Sequence, residues 1–226
     1  PKLLLLLLLA FNFSFAQKKT VAKADPFAGL DTAFQRVLKD RKAAGFAVAV
    51  ISKDKIIYAK GFGYRDYENK IPVTPTTQFA IGSCSKAFTS SLIGLLEKDN
   101  KLELDKPATS YLPELRFFND NMNNMITIRD MMCHRTGLPR HDYSWYLFNT
   151  TSRDSLLRRI QYQEPTTALR QTWQYNNFMF LAQGMIAEKL TGKSWEENVK
   201  EKIFNPLGMT NSNLSIHDLK KNKEAA

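Results

Sequence analysis

The sequence predicts an α+β fold, in which an antiparallel sheet is flanked by helices and joined to a helical lobe. Strand patterns come first along the chain, and from Gly82 onward the periodic segments are helical, which is typical of this class. The chain has 226 residues, 43% of them hydrophobic and 12% aromatic, which suffices to bury one sizeable core. We expect residues 26–226 to form that domain.

Residues 1–16 are predicted to form a secretory signal peptide. Lys2 precedes an apolar run over residues 3–11, and a Ser-Phe-Ala sequence at residues 14–16 offers the small residues that a signal peptidase needs. Cleavage there would make Gln17 the first mature residue, and the protein would be extracytoplasmic, either periplasmic or secreted.

A membrane anchor is the alternative reading of this segment. A spanning helix needs about 20 apolar residues, and Asn12 already interrupts the run. We therefore expect no stable membrane span after signal cleavage, and a polar linker over residues 17–25.

The charge and cysteine content exclude several classes of function. The formal charge is +10, but the basic residues are scattered among acidic ones and no nucleic-acid motif is visible, so we expect no nucleic-acid partner. The three histidines do not form a spaced ligand set, so neither a metal site nor a cofactor is predicted. Cys84 and Cys133 are expected to be buried free thiols, although export would permit a disulfide.

The first elements are predicted to be a helix and a hairpin. Apolar residues recur at helical spacing from Leu30 to Leu38. The apolar run over residues 46–51 is typical of a strand covered on both faces, and a second strand over residues 56–59 is expected to end at Gly61 and Gly63.

Five further helices follow from periodicity and capping signals. The first is expected over residues 83–99, and the second is a short helix that ends near His134. The third covers residues 152–160, and the fourth covers residues 177–190 and is closed by Gly192. The fifth begins with a capping box at Ser194 and ends before Pro206.

A serine–lysine pair at residues 83–86 carries the strongest chemical signal. The pattern S-x-x-K occurs twice, but residues 52–55 lie in the predicted hairpin turn, where the lysine has no fixed relation to the serine. Ser83 and Lys86 open a helix, where residues three apart lie on one face about 5–6 Å from each other. Such a pair suits a serine nucleophile with a neighbouring acid–base group.

The rest of this helix indicates that it is enclosed. An apolar stripe begins at Phe88, while the opposite face is nearly free of charge and includes Ala87 and Gly94. A glycine in a helix interior costs about 1 kcal/mol, so we expect another backbone to approach closely at Gly94. The helix is therefore predicted to be packed on both sides.

A second motif precedes the most apolar helix. Tyr175, Asn176 and Asn177 stand directly before and at the start of the helix over residues 177–190, whose burial would hold them rigidly. The pattern Y-x-N also occurs at residues 67–69, but there it precedes the serine and follows a strand.

These motifs together resemble one family. Residues 79–89 resemble the serine motif of class C β-lactamases, D-alanyl-D-alanine peptidases and related esterases. Residues 131–139 are similar to the family's His-x-x-Gly-Leu-Pro turn, Tyr175 and Asn177 match its Tyr-x-Asn motif, and residues 188–209 are similar as well.

The resemblance implies a β-lactamase/transpeptidase-like fold and a role for each site residue. Ser83 would be the nucleophile that is acylated, Lys86 and Tyr175 would share general acid–base work, and Asn177 would orient the substrate. The implied activity is hydrolysis of amide, peptide or ester bonds in a small molecule or peptide through an acyl-enzyme. Peptidase or esterase activity ranks above β-lactamase activity, and a non-catalytic penicillin-binding or sensor protein on the same fold is the alternative.

Two departures from the family pattern bear on the site. Leu169-Arg170 stands where the family usually has Pro-Gly, which leaves the shape of that loop open. The third motif, Lys/His-x-Gly on a late strand, is absent, and residues 135–137 are interpreted as a turn instead. We therefore expect the C-terminal strands, with half of the oxyanion hole, to lie beyond this sequence, and residues 17–226 alone to be inactive and poorly folded.

Other catalytic arrangements fit less well. A Ser-His-Asp hydrolase would need a G-x-S-x-G elbow, which does not occur. Cys133 and His134 are adjacent on a predicted helix, so their side chains would point in different directions. The aromatic segment at residues 141–146 fits a cleft wall or ordinary loop packing equally well.

Overall fold

The computed structural model describes residues 26–226, which form two compact units. The first runs to Thr77 and includes Ala226, and the second comprises Gln78–Ala225. The predicted signal peptide and linker lie outside the described residues.

The first unit is a helix beside a small antiparallel sheet. Its elements are α1 (Leu30–Asp40), β1 (Gly45–Ser52), β2 (Lys55–Asp66) and β3 (Ile71–Pro72) in the sheet order β1-β2-β3. Its core is aromatic: the ring of Phe34 on α1 lies 5.2 Å from that of Phe62 and 5.9 Å from that of Phe46. This arrangement confirms the predicted helix and hairpin.

Two details of the hairpin differ from expectation. β2 continues through Gly61 and Gly63, because these glycines allow close backbone contacts: a Cβ on Gly61 would lie 2.1 Å from the carbonyl oxygen of Val73. Burial along β1 also alternates, with Phe46 partly buried and Ala47 exposed. Among the described residues β1 is therefore covered on one face only, and cover on both faces stays a prediction.

The regular elements of the second unit, Gln78–Ala225, are helices. Its α-helices are α2 (Ser85–Lys98), α3 (Asp120–Met125), α4 (Ile128–Met132), α5 (Tyr143–Leu147), α6 (Arg153–Arg158), α7 (Asn177–Thr191), α8 (Trp195–Val199) and α9 (Ile216–Lys221). Short 3₁₀ turns occur at Gly82–Cys84, Ala108–Ser110 and Arg159–Tyr162, and a π-turn at Lys200–Phe204 continues α8.

Helix α7 is the centre of this unit. It contacts α2, α4, α6 and α8, and eight of its residues are buried. It ends at Gly192, whose φ of 70° gives the left-handed cap that glycine favours. The capping box at Ser194 also forms, with Glu197 as its partner. These findings confirm the predicted helices in this region, whereas the short α3, α5 and α9 were not predicted.

The environment of α2 corrects one expectation. Its buried residues are Thr89, Leu92, Ile93 and Leu96, which confirms an apolar face. Ala87 and Gly94 are exposed, and a Cβ on Gly94 would meet no atom within 4 Å. The prediction of close packing at Gly94 is therefore wrong for the part of the chain that the structure describes.

Candidate active site

Ser83 and Lys86 lie together where α2 begins. Ser83 occupies the 3₁₀ turn Gly82–Cys84, which leads directly into α2, and Lys86 lies in the first turn of that helix. The Lys86 ammonium donates a hydrogen bond to Ser83 Oγ at 3.2 Å. The other S-x-x-K is different, because Ser52 and Lys55 are strand partners on opposite sides of a hairpin turn.

Tyr175 reaches the same hydroxyl from the loop before α7. Its phenolic OH donates to Ser83 Oγ at 2.6 Å, so Ser83 accepts hydrogen bonds from both Tyr175 and Lys86. The Y-x-N decoy at residues 67–69 is a turn, in which Asn69 binds the carboxylate of Asp66. Ser83, the candidate nucleophile, therefore has two neighbouring side chains that carry exchangeable protons.

Asn177 joins this cluster as the first residue of α7. Its Oδ1 accepts a hydrogen bond from Lys86 Nζ at 2.7 Å, and its Nδ2 donates to Asp142 Oδ1 at 2.9 Å. The other oxygen of Asp142 accepts from Arg140. Both ends of the Asn177 amide are thus engaged, which fixes its orientation and that of Lys86.

Two cations lower the pKa of the Tyr175 phenol. Lys86 Nζ lies 4.7 Å and Arg140 Cζ 5.0 Å from the centre of its ring. Partial burial raises the pKa, but hydrogen bonding to Lys86 and Ser83 and the charges of Lys86 and Arg140 outweigh it, so the pKa lies below the ordinary value of 10.0. The lowered pKa increases the fraction of Tyr175 that is phenolate at a given pH.

Ser83, Lys86 and Asn177 line a pocket of about 510 Å³. It is lined by Gly82, Ser83, Ser85, Lys86, Asp142, Trp145, Tyr146, Asn177 and Leu181. Trp145 is anchored by edge-on packing against Phe178 with a centroid distance of 4.5 Å, while Tyr146 is largely exposed. The aromatic segment at residues 141–146 therefore forms one wall of the pocket.

A family profile and known relatives show which family the chain belongs to. The β-lactamase family profile matches residues 30–226. The chain belongs to the β-lactamase family. It is 35% identical over 212 residues to the unguisins hydrolase ungD' of Aspergillus campestris, a match that covers 88% of this chain and 39% of the relative.

Two further proteins are similar over a large part of the chain. Identity to the teichoic acid D-alanine hydrolase of Staphylococcus aureus (strain MRSA252) is 32% over 166 residues, covering 74% of this chain and 40% of that protein. The octameric penicillin-binding protein homologue of Pyrococcus abyssi superimposes with a TM-score of 0.78 at 26% identity, covering 89% of this chain and 47% of that one. The chain thus spans less than half the length of these relatives.

Sequence reasoning missed the two charged residues beside the β-lactamase-family motifs. Arg140 and Asp142 lie in the loop before α5, and nothing in their local pattern distinguishes them from solvent-exposed charges. Only the fold brings Asp142 to Asn177 and places the Arg140 guanidinium over the ring of Tyr175.

The segment at residues 135–137 is a turn, as predicted. Gly137 has a φ of 83°, and a Cβ there would lie 2.4 Å from the carbonyl oxygen of Thr167. The turn packs against the loop that leads to the tyrosine, because Thr166 N–H donates to the Gly137 carbonyl at 3.0 Å. A side chain at this position would push that loop away.

Arg170 occupies the place where the family pattern has the glycine of Pro-Gly. Its φ is 66°, so it adopts the left-handed conformation in which glycine is unstrained. Its guanidinium forms a two-pronged ion pair with Asp130, from Nε to Oδ1 at 2.7 Å and from NH2 to Oδ2 at 2.8 Å. Arg170 thus adopts a conformation that glycine adopts without strain, and the ion pair offsets the conformational cost.

Asp130→Ala is expected to destabilise the native protein by about 2–3 kcal/mol. The change removes the capping box with Thr127, where a lost cap costs about 1 kcal/mol, and the charged hydrogen bonds from the half-exposed Arg170. Burial raises the pKa of Asp130, but Arg170 and Thr127 outweigh this and hold it below its ordinary value. The stabilisation should therefore be present near neutral pH and be lost as the pH falls through that lowered pKa. Urea denaturation at several pH values measures it.

Asp105→Ala is the matched control for this measurement. Its bidentate partner is also an arginine, Arg129, but both side chains are at least half exposed. Exposed pairs contribute about 1 kcal/mol or less, so an equal loss in the two variants would contradict the role assigned to Asp130.

The described residues hold neither a metal-ligand cluster nor a membrane-spanning helix. No group of three or more metal-ligating side chains occurs among residues 26–226, and none of the helices in that range is long and apolar enough to cross a bilayer. Cys84 and Cys133 are free thiols, as predicted, but both are exposed. The expectation that they are buried is wrong, because Cys84 lies in the turn at the start of α2 and Cys133 lies at the exposed end of α4.

Proposed function

We propose that the protein to which this chain belongs is a serine hydrolase that cleaves amide, peptide or ester bonds through an acyl-enzyme. The observation that carries the proposal is the hydroxyl of Ser83, which accepts hydrogen bonds from Tyr175 at 2.6 Å and from Lys86 at 3.2 Å. A serine hydroxyl becomes a useful nucleophile only when a positioned group takes its proton.

In this proposal Tyr175 moves the proton. Its phenolate accepts the proton of Ser83 Oγ as that oxygen attacks the substrate carbonyl, and the resulting phenol protonates the leaving amine or alcohol as the scissile bond breaks. The acyl group stays on Ser83 until a water molecule, deprotonated by the same phenolate, releases it as a carboxylic acid. Lys86 keeps the phenolate charge compensated throughout.

Asn177 and the start of α2 are proposed to bind the substrate carbonyl and amide. Asn177 Nδ2 uses one of its two N–H groups for Asp142, and the other is available to the substrate. Unpaired backbone N–H groups at a helix start stabilise developing negative charge. The relatives are a hydrolase of unguisins and a hydrolase of teichoic acid D-alanine, which supports ester or amide substrates for this chain too.

The same proposal places the protein outside the cytoplasm. It rests on the signal-peptide pattern at residues 1–16, which lie outside the described residues. Sequencing the N-terminus of the exported protein tests it: a first residue of Gln17 is expected, and an intact N-terminal segment in the exported protein would contradict it.

Acylation followed by turnover tests the proposed activity. The native protein, expressed with any sequence that flanks these residues in its gene, is incubated with a fluorescent penicillin, an aryl ester and a D-alanyl ester, and its mass is followed over time. An adduct on the peptide that carries Ser83, which disappears with release of product, is expected. A permanent adduct without turnover would instead make the protein a penicillin-binding sensor, and no adduct with any probe would overturn the serine mechanism.

A further inference from the structure

His134 lies next to Tyr175, the residue that moves the proton in the proposed mechanism, and takes no direct part in that proton transfer. It follows the end of α4, has a φ of 57°, and is 8% exposed. It is thus a buried imidazole in a backbone conformation that costs energy for a residue other than glycine.

His134 binds the backbone N–H groups of the two residues next to Tyr175. Its carbonyl oxygen accepts the N–H of Gln174 at 2.9 Å, and its imidazole Nδ1 accepts the N–H of Asn176 at 3.2 Å. One residue therefore holds the chain immediately before and immediately after the tyrosine.

The imidazole also supports the tyrosine ring. The two rings are 4.6 Å apart at an angle of 36°, and Trp173 and Phe180 lie around the imidazole with centroid distances of 5.8 and 5.3 Å. Tyr175 is thus held by its two neighbouring amides and by one face of its ring, while its OH lies 2.6 Å from Ser83 Oγ.

The imidazole must be neutral to act in this way, because Nδ1 accepts a hydrogen bond only when it carries no proton. Burial lowers the pKa of His134, and the positive charge of Lys86 lowers it further below the ordinary value of 6.5. The titratable groups that face it are Lys86 from α2 and Tyr175 itself, and both are part of the proposed site.

We propose that His134 is a positioning residue that sets the distance between the Tyr175 phenol and Ser83 by holding the backbone N–H groups of the residues on either side of Tyr175. This inference rests on the proposed acylation of Ser83. A displacement of about 1 Å in a catalytic group can cost about a hundredfold in rate. His134 therefore acts on catalysis through Tyr175 without touching the substrate.

Two substitutions separate the hydrogen bond from the ring contact. His134→Phe keeps an aromatic ring and removes the acceptor for Asn176, whereas His134→Asn loses the ring, retains an acceptor near Nδ1, and tolerates a positive φ. In the native protein we expect His134→Phe to lower the acylation rate constant by about ten- to a hundredfold with unchanged probe affinity. His134→Asn should stay within about fivefold of the wild type.

Combining these changes with Tyr175→Phe gives the decisive measurement. If His134 acts through the phenol, His134→Phe should slow acylation by no more than about twofold once Tyr175 has lost its hydroxyl. An equally large further loss in the Tyr175→Phe background would overturn the proposal, as would a His134→Asn variant as slow as His134→Phe.

Stability and the parent reaction provide the remaining controls. Thermal melting of both His134 variants should remain cooperative, and loss of the folded state in both would make His134 a purely structural residue and overturn the proposal. Failure of the wild type to be acylated at all would instead refute the serine hydrolase function, so the two failures are distinguishable.

Discussion

Ser83→Ala is expected to abolish covalent labelling of the native protein by a fluorophosphonate or a fluorescent penicillin. The reason is that Ser83 Oγ is the one hydroxyl among the described S-x-x-K pairs that accepts from both a lysine and a tyrosine. Without that oxygen no ester bond to the probe forms. In-gel fluorescence after a fixed labelling time measures the effect, with intact mass as a second readout.

Ser52→Ala is the matched control, since Ser52 starts the other S-x-x-K sequence. Ser52 is exposed at the end of β1, where it faces Lys55 across the hairpin turn. Labelling should be unchanged in this variant. Fluorescence that survives Ser83→Ala would show that another residue is the nucleophile.

Lys86→Ala and Tyr175→Phe are each expected to slow acylation by at least about a hundredfold, the usual scale for losing a general acid–base group. Tyr175→Phe removes the group that is proposed to take the proton of Ser83. Lys86→Ala removes a cation that lies 4.7 Å from the Tyr175 ring and also binds Asn177 at 2.7 Å. Rapid-mixing measurements of labelling give the rate constants.

The losses in the double variant should be far from additive, because both groups act on one proton path. The wild-type rate should also rise with pH through the lowered pKa of Tyr175 and level off above that pKa, since the phenolate is proposed as the reactive form. Tyr175→Phe should remove this rise. Independent, multiplicative losses in the double variant would contradict a shared proton path.

Local patterns were sufficient to predict the helices that carry the site. The spacing of Ser83 and Lys86 at the start of a helix, and the capping and glycine signals around α7 and α8, depend on interactions between residues that are close along the chain. Such interactions can be recognised from the sequence. The turn at Gly137 was predictable for the same reason.

The strands and short helices were harder to place. Gly61 and Gly63 signal an end of a strand, yet β2 passes through both because neighbouring backbone atoms approach them closely. Helices α3, α5 and α9 have six residues or fewer, which is too short for a clear hydrophobic period. Their positions depend on packing against the rest of the unit.

The sequence by itself determined the family, the serine–lysine pair and the Tyr-x-Asn motif, because their chemistry requires particular residues at short fixed spacing. The tertiary structure decided what surrounds them. It placed Arg140 and Asp142 beside Tyr175 and Asn177, and it brought His134 to the backbone N–H groups of both residues next to the tyrosine. These contacts join residues far apart along the chain, and their energies depend on distance and burial in the folded state, which no local pattern records.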